Sequence, residues 1–318
     1  MTRKTTMNES PRRISVIEVG PRDGLQSEPE IFSTDAKIEF IRRAIDAGVR
    51  ALEVASFVHP KRVPQMADAE AVIAGLPKRS DVRYIGLVLN PKGFERARDA
   101  RLGEIGMAVV ASDTYNQRNQ GVPTSESVKA WVGIAREARA AGMRANVMIS
   151  SAFGCPFEGE VPLRRVLDLV DQVLEGEPVE LGLADSIGVG VPAQVTEMVG
   201  AVRERACGIP IRCHFHNTRN TGLANAQAAI DAGATTLDAS IGGIGGCPFA
   251  PAATGNIPTD DLLYMLDRSG LHTGISLEKI LEVSKWLQQQ LGRDTPAMLP
   301  KAGIFPKTAT AARAPGTA

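Results

Sequence analysis

Net charge is the first thing this chain lacks. Its 318 residues carry 36 basic and 36 acidic side chains, so the formal balance is zero. That balance supplies no bulk electrostatic pull toward nucleic acid or an anionic membrane. Aromatic residues make up only 4% of the chain, too few for a base-stacking surface. Four cysteines, Cys155, Cys207, Cys213 and Cys247, do not make a disulfide framework at this length and fit a reducing cytoplasm. No apolar run is long enough to span a bilayer. The opening stretch from Met1 to Arg13 is polar and basic and lacks the apolar centre of a signal peptide. The expectation is a cytoplasmic protein with a small-molecule ligand and neither nucleic acid nor membrane as partner.

What is present is a regular alternation. Hydrophobic content is 43%, enough for a sizeable core, and the length allows two average domains or one large α/β barrel. Strand-like runs fall at Ile14–Gly20, Ala51–Phe57, Val82–Leu89, Ile105–Ala111, Arg144–Ser151, Val179–Asp185, Ile211–His216 and Thr236–Ile241. Helical patterns separate them. They run from Thr34, read as a cap, to a stop at Gly48, then around Gln65–Ala74, from Pro91, from Thr124, over Pro162–Glu175, from Pro192 and from Thr221. Eight βα units at this length predict a (β/α)8 TIM barrel, with helices at Asp260–Arg268 and Ser276–Leu291 as a C-terminal helical extension. An open doubly wound sheet is the alternative. Against it, Gly242-Gly-Ile-Gly-Gly246 lacks the spacing of a dinucleotide loop and follows the last strand, not the first. One barrel domain over 14–291 is therefore expected, between a disordered leader (1–13) and a partly disordered tail (292–318).

In such barrels chemistry sits at the C-terminal ends of the strands. Residues two apart on a strand share a face, so His214 and His216 project together, with Arg212 below them. Paired imidazoles at a strand end make half of a divalent-metal site. Other strand ends carry Arg22 and Asp23, Glu53, Asp185, and, in the glycine-rich loop after the last strand, Cys247 and Asn256. Glu53 stands within Ala51-Leu-Glu-Val-Ala55, where a buried carboxylate is costly without a partner. Arg22 and Asp23 read equally as a turn with a salt bridge, and Asp185 as a cap for the next turn. Asp23, His214, His216 and Asn256 form a mixed nitrogen and oxygen set that suits Mg²⁺ or Mn²⁺ more than structural zinc.

Five stretches carry a resemblance: Glu18-Val-Gly-Pro-Arg-Asp-Gly-Leu-Gln26, Ser56-Phe-Val58 with Val63-Pro-Gln-Met66, Gly154-Cys-Pro156, Asp185-Ser-Ile-Gly-Val-Gly190 and Gly242-Gly-Ile-Gly-Gly-Cys-Pro-Phe249. Together they resemble the 3-hydroxy-3-methylglutaryl-CoA lyase family, from about Ile14 to Leu291. The resemblance implies a metal-dependent retro-Claisen cleavage of an acyl-CoA, coenzyme A entering as part of the substrate. It implies Asp23, His214, His216 and Asn256 as metal ligands, and Arg22, Glu53, Asp185 and Cys247 as groups acting on substrate. Asp185 or a ligating histidine such as His214 would be the base, and Cys247 a proton donor or relay. A homodimer or larger assembly is implied as well. The chain departs from better-known members at Gly182, Asn217 and Arg219, near where the acyl part is expected to bind. A relative such as citramalyl-CoA is therefore an alternative substrate. A Claisen synthase or a non-catalytic acyl-CoA-binding barrel could carry much of the same set.

Overall fold

The computed structural model describes residues 12–246 and 255–306. Its strands are β1 (Ser15–Glu18), β2 (Ala51–Ser56), β3 (Arg83–Val88), β4 (Glu104–Val110), β5 (Arg144–Ser150), β6 (Leu181–Asp185), β7 (Ile211–Phe215) and β8 (Thr236–Ala239). All pair in parallel with their sequence neighbours, and β8 returns to β1 to close the barrel. The expected TIM barrel is what forms.

The helices follow from the sequence period. They are α1 (Thr34–Asp46), α2 (Ala69–Gly75), α3 (Pro91–Asp99), α4 (Asp113–Gln120), α5 (Thr124–Ala140), α6 (Leu163–Leu174), α7 (Pro192–Arg205), α8 (Gly222–Ala232), α9 (Thr259–Arg268), α10 (Leu277–Leu291) and α11 (Leu299–Ala302). In α6 the buried residues are Val166, Leu169, Val170 and Val173, the spacing of one helical face laid on the strands. Strand β2 is buried along its whole length, as a strand covered on both faces must be. None of the described helices is long and apolar enough to cross a membrane.

Local differences have local causes. Ser33, not Thr34, caps α1, its hydroxyl accepting from the Ala36 amide. The helix expected from Gln65 is a single 3₁₀ turn at Pro64–Met66 followed by α2. Helix α4 has no apolar periodicity to announce it. A buried polar residue fixes it: Asn116 accepts from the Val110 amide and donates to Val122 O and Ser127 Oγ. Arg13, placed in the leader by its composition, pairs with His272. The stretch after Leu291 includes α11, held in part by Asp261 accepting from the Met298 and Leu299 amides.

Candidate active site

Everything titratable at the C-terminal mouth is set by strand ends and the turns that follow them. After β1 the chain makes one wide π-helical turn, Gly20–Gly24, which carries Arg22 and Asp23. Gly24 permits its close seat on the loop after β8, since a Cβ there would lie 2.7 Å from Ile244 Cγ1.

The root of that turn is Glu18, fully buried, whose carboxylate accepts from the amides of Gly20 and Ile241 and from the Thr259 hydroxyl. One side chain thus ties the turn bearing Asp23 to both ends of the segment that carries Asn256. Burial pushes the Glu18 carboxyl from 4.5 up to about 8, the three donors offsetting only part of the desolvation. The folded protein therefore holds a proton that the unfolded chain releases above pH 4.5. Stability from this group is fully present below the unfolded value and is lost as pH rises toward 8, by up to about 1.4 kcal/mol per unit. Glu18→Gln cannot titrate, so its melting temperature relative to the parent should climb between pH 5 and pH 8. A pH-independent difference between the two would contradict the assignment.

Arg22 donates from Nε to Glu53 at 2.8 Å and from Nη1 to Asp23 at 2.7 Å, with Nη2 also on Glu53. Glu53 thus has the partner that its apolar surroundings demanded. Burial weakens the Arg22 charge, but Glu53 and Asp23 outweigh it and keep the guanidinium protonated. Burial also penalises the Asp23 carboxylate. Arg22, the two histidines and Asn256 overcome that and hold its pKa at about 2, so Asp23 is an anion throughout the neutral range.

At the end of β7, His214 and His216, the latter one residue past the strand, lie side by side with ring centroids 5.2 Å apart. The His214 Nδ1 lies 3.1 Å from Asp238 Oδ2, on β8. That hydrogen bond leaves Nε2 of His214 as the atom free to ligate, the usual carboxylate–histidine support of a metal ligand. Asp238 is fixed in turn by Arg212, whose Nε and Nη2 donate to its two oxygens at 2.5 and 2.8 Å. Burial lowers the basicity of His214, yet the bond and charge of Asp238 and the charge of Asp23 raise it overall. His216 has no such support; burial and the neighbouring His214 push it down to about 4, and it stays neutral.

Ligand atoms of Asp23, His214 and His216 all lie within 4.8 Å of one another. Asn256 joins them, donating from Nδ2 to Asp23 Oδ2 at 2.9 Å and to Ile244 O. Its Oδ1 and the Nδ1 of His216 are buried and have no hydrogen-bond partner among the described residues. Unsatisfied lone pairs beside a carboxylate and a second imidazole fit a divalent cation. The four residues that the sequence put forward as ligands therefore converge, and Arg22 and Glu53 stand beside them around a cavity of about 440 Å³.

Asp185 differs. Its carboxylate accepts from the Val189 and Gly190 amides at 3.0 and 2.8 Å, and it is its neighbours Ala184 and Ser186 that line the cavity. Cys247 lies outside the described residues. Asn217 and Arg219, expected near the acyl site, serve the loops instead. Asn217 accepts from the Gly222 amide, Arg219 donates to Ile187 O and Gly188 O, and neither lines the cavity. The residue that sequence reasoning missed is Asp238. Its signal was a carboxylate inside the apolar run Thr236-Leu-Asp-Ala239, the same signal that singled out Glu53.

The fold and the site define a (β/α)8 barrel with a cluster of two histidines and one carboxylate that could hold a metal ion, and a paired arginine, at its C-terminal mouth. The chain belongs to the HMGL-like family, which it matches over residues 13–287. It is 39% identical over 287 residues to the hydroxymethylglutaryl-CoA lyase YngG of Bacillus subtilis, covering 90% of this chain and 96% of that protein. It is 38% identical over 310 residues to the (R)-citramalyl-CoA lyase of Chloroflexus aurantiacus, covering 94% and 98%. Among solved structures, an HMG-CoA lyase from Acinetobacter baumannii in complex with coenzyme A and 3-methylmalate superposes with a TM-score of 0.89. The two are 39% identical over 92% of this chain and 96% of that one.

Proposed function

We propose that this protein is a carbon–carbon lyase that cleaves 3-hydroxy-3-methylglutaryl-CoA to acetyl-CoA and acetoacetate. The observation that carries the reading is the convergence of Asp23, His214 and His216 beside the Arg22–Glu53 pair in one cavity, with Asn256 bonded to Asp23. Those four would hold a divalent cation of the Mg²⁺ or Mn²⁺ type, which supplies acidification of a carbinol hydroxyl bound beside it.

The remaining work falls to side chains. Arg22, aimed by Glu53 and Asp23, donates to the thioester oxygen as negative charge gathers there on breaking the carbon–carbon bond. Asp238 holds His214 in one tautomer and one orientation. Asp185 takes the carbinol proton. Where Asp23 and Asp238 are held below the ordinary carboxylate range, burial lifts Asp185 above it, as a base requires. To act as the base, its carboxylate would have to turn from the Val189 and Gly190 amides toward the cavity that Ala184 and Ser186 line. Cys247 supplies the proton that turns the enolate into acetyl-CoA. At the mouth, Arg62 and Arg118 line the same cavity and suit the phosphates of coenzyme A. The unpaired Cys155, Cys207 and Cys213 accord with a cytoplasmic location, and a homo-oligomer is expected from the family.

A second substrate reading has its own support. The citramalyl-CoA lyase is 38% identical to this chain, against 39% for the hydroxymethylglutaryl-CoA lyase of Bacillus subtilis. The test is turnover of both thioesters with Mg²⁺ and with excess chelator. Acetoacetate released from the first, and abolished by chelator, is the expected result. Pyruvate from citramalyl-CoA with no acetoacetate would move the substrate while keeping the lyase. No cleavage of either by folded, metal-supplemented protein would overturn the proposal.

A further inference from the structure

Just below the metal-binding residues, the inner wall of the barrel is lopsided. The parallel register runs Ala108, Met148, Gly182, Arg212 across β4 to β7. On one side stands the charged pair Arg212–Asp238. On the other, Gly106, Ala108 and Ala184 line the cavity, and Gly182 shares the inward face with Ala184. Barrels of this kind usually fill such a level with large branched side chains. Here small residues on β4 and β6 hollow it out.

Met148 enters that hollow. A Cβ added at Gly182 would fall on Met148 Sδ, well inside van der Waals contact, and 2.5 Å from its Cε. The thioether thus occupies the space where a side chain at 182 would begin, and it also lines the cavity. The two nearest atoms are the free end of a flexible chain, and the Met148 Cα follows at 3.3 Å, a tight contact. A larger residue at 182 therefore displaces the thioether into the cavity without breaking the barrel.

We propose that Gly182 and Met148 together set the size of the alkyl group accepted on the carbinol carbon of the substrate. The inference rests on the lyase reading above. The groups that meet oxygen, Arg22, Asp23, Glu53, His214 and Asn256, belong to β2, β7 and the loops after β1 and β8. A tertiary carbinol held by them turns its remaining substituent toward β3–β6, where Leu87, Ala108, Met148 and Ala184 form an apolar wall. A charged substituent would be desolvated against these apolar side chains, so the wall suits an alkyl substituent. Asn146, which also lines the cavity, donates to Glu104. The substrate class is a 3-hydroxy-3-alkyl acyl thioester, and Met148 is its adjustable wall.

The test compares kcat/KM for 3-hydroxy-3-methylglutaryl-CoA and its 3-ethyl homologue in the parent, Gly182→Ser, Met148→Ala and the double variant. Gly182→Ser should lower the ethyl-to-methyl ratio by about tenfold, the usual worth of one methylene in an apolar pocket. Met148→Ala should raise it by a similar factor, and the double variant should return toward the parent. A purely structural role would lower both kcat/KM values together and leave the ratio alone. Ratios that stay within about twofold of the parent would overturn the inference while leaving the lyase reading intact. A parent enzyme that cleaves neither thioester would overturn both. If Met148→Ala does not fold, Met148→Val trims less and asks the same question.

Discussion

Arg22→Gln is expected to lower kcat by roughly 10²- to 10³-fold, the usual loss when one donor to a developing oxyanion is removed. Arg22 is the cation that the cavity aims by two carboxylates, one on β2 and one next to it in the chain. Glutamine is shorter and uncharged and cannot serve Glu53, Asp23 and a thioester oxygen together. Arg22→Lys restores the charge but not the planar fork, so it should recover only part of the loss. KM should change less than kcat, because the interaction strengthens as charge develops. Steady-state kinetics at saturating Mg²⁺ decide it. A loss of less than about tenfold in kcat for Arg22→Gln would remove Arg22 from the chemical step.

Asp238→Asn should weaken metal binding by about 10- to 100-fold, the usual cost of losing the carboxylate behind a ligating histidine. Asparagine keeps the shape but lacks the charge that raises His214 and neutralises Arg212. Arg212 is almost fully buried, and its other charged neighbours in reach are Glu53 and Glu180. Leaving such a charge uncompensated costs about 3–5 kcal/mol. The variant should therefore show two separable defects, a weaker divalent cation in chelator competition and a lower urea midpoint without metal. Loss of stability with unchanged cation affinity would make Asp238 a partner of Arg212 alone.

How much of this was legible in the chain follows from how local each signal is. The strands and most helices announce themselves by period. Helix α4, whose sequence Asp113-Thr-Tyr-Asn-Gln-Arg-Asn-Gln120 has no apolar stripe, does not, because buried hydrogen bonds of Asn116 hold it. His214 and His216 are legible as a pair because the strand repeat fixes their common face within three residues. Glu53 was legible as a carboxylate needing a partner, but not which partner. Arg22 lies 31 residues away, and only the closed barrel decides that they meet. Asp238 carried the same local signal as Glu53, but its role depends on His214, 24 residues away.

Local sequence carries the eightfold βα alternation, the placement of polar groups at strand ends, and the oxygen and nitrogen character of the candidate ligand set. Each depends on residue type and on spacings of a few residues, which backbone geometry translates directly. The tertiary structure alone decided the pairings: Arg22 with Glu53, His214 with Asp238, and Met148 in the space beside Gly182. It also turned Asp185 toward its own loop and drew Asn217 and Arg219 away from the cavity. These depend on barrel closure and on register between strands far apart in sequence. No local propensity encodes that register, because it is the product of packing all eight units at once.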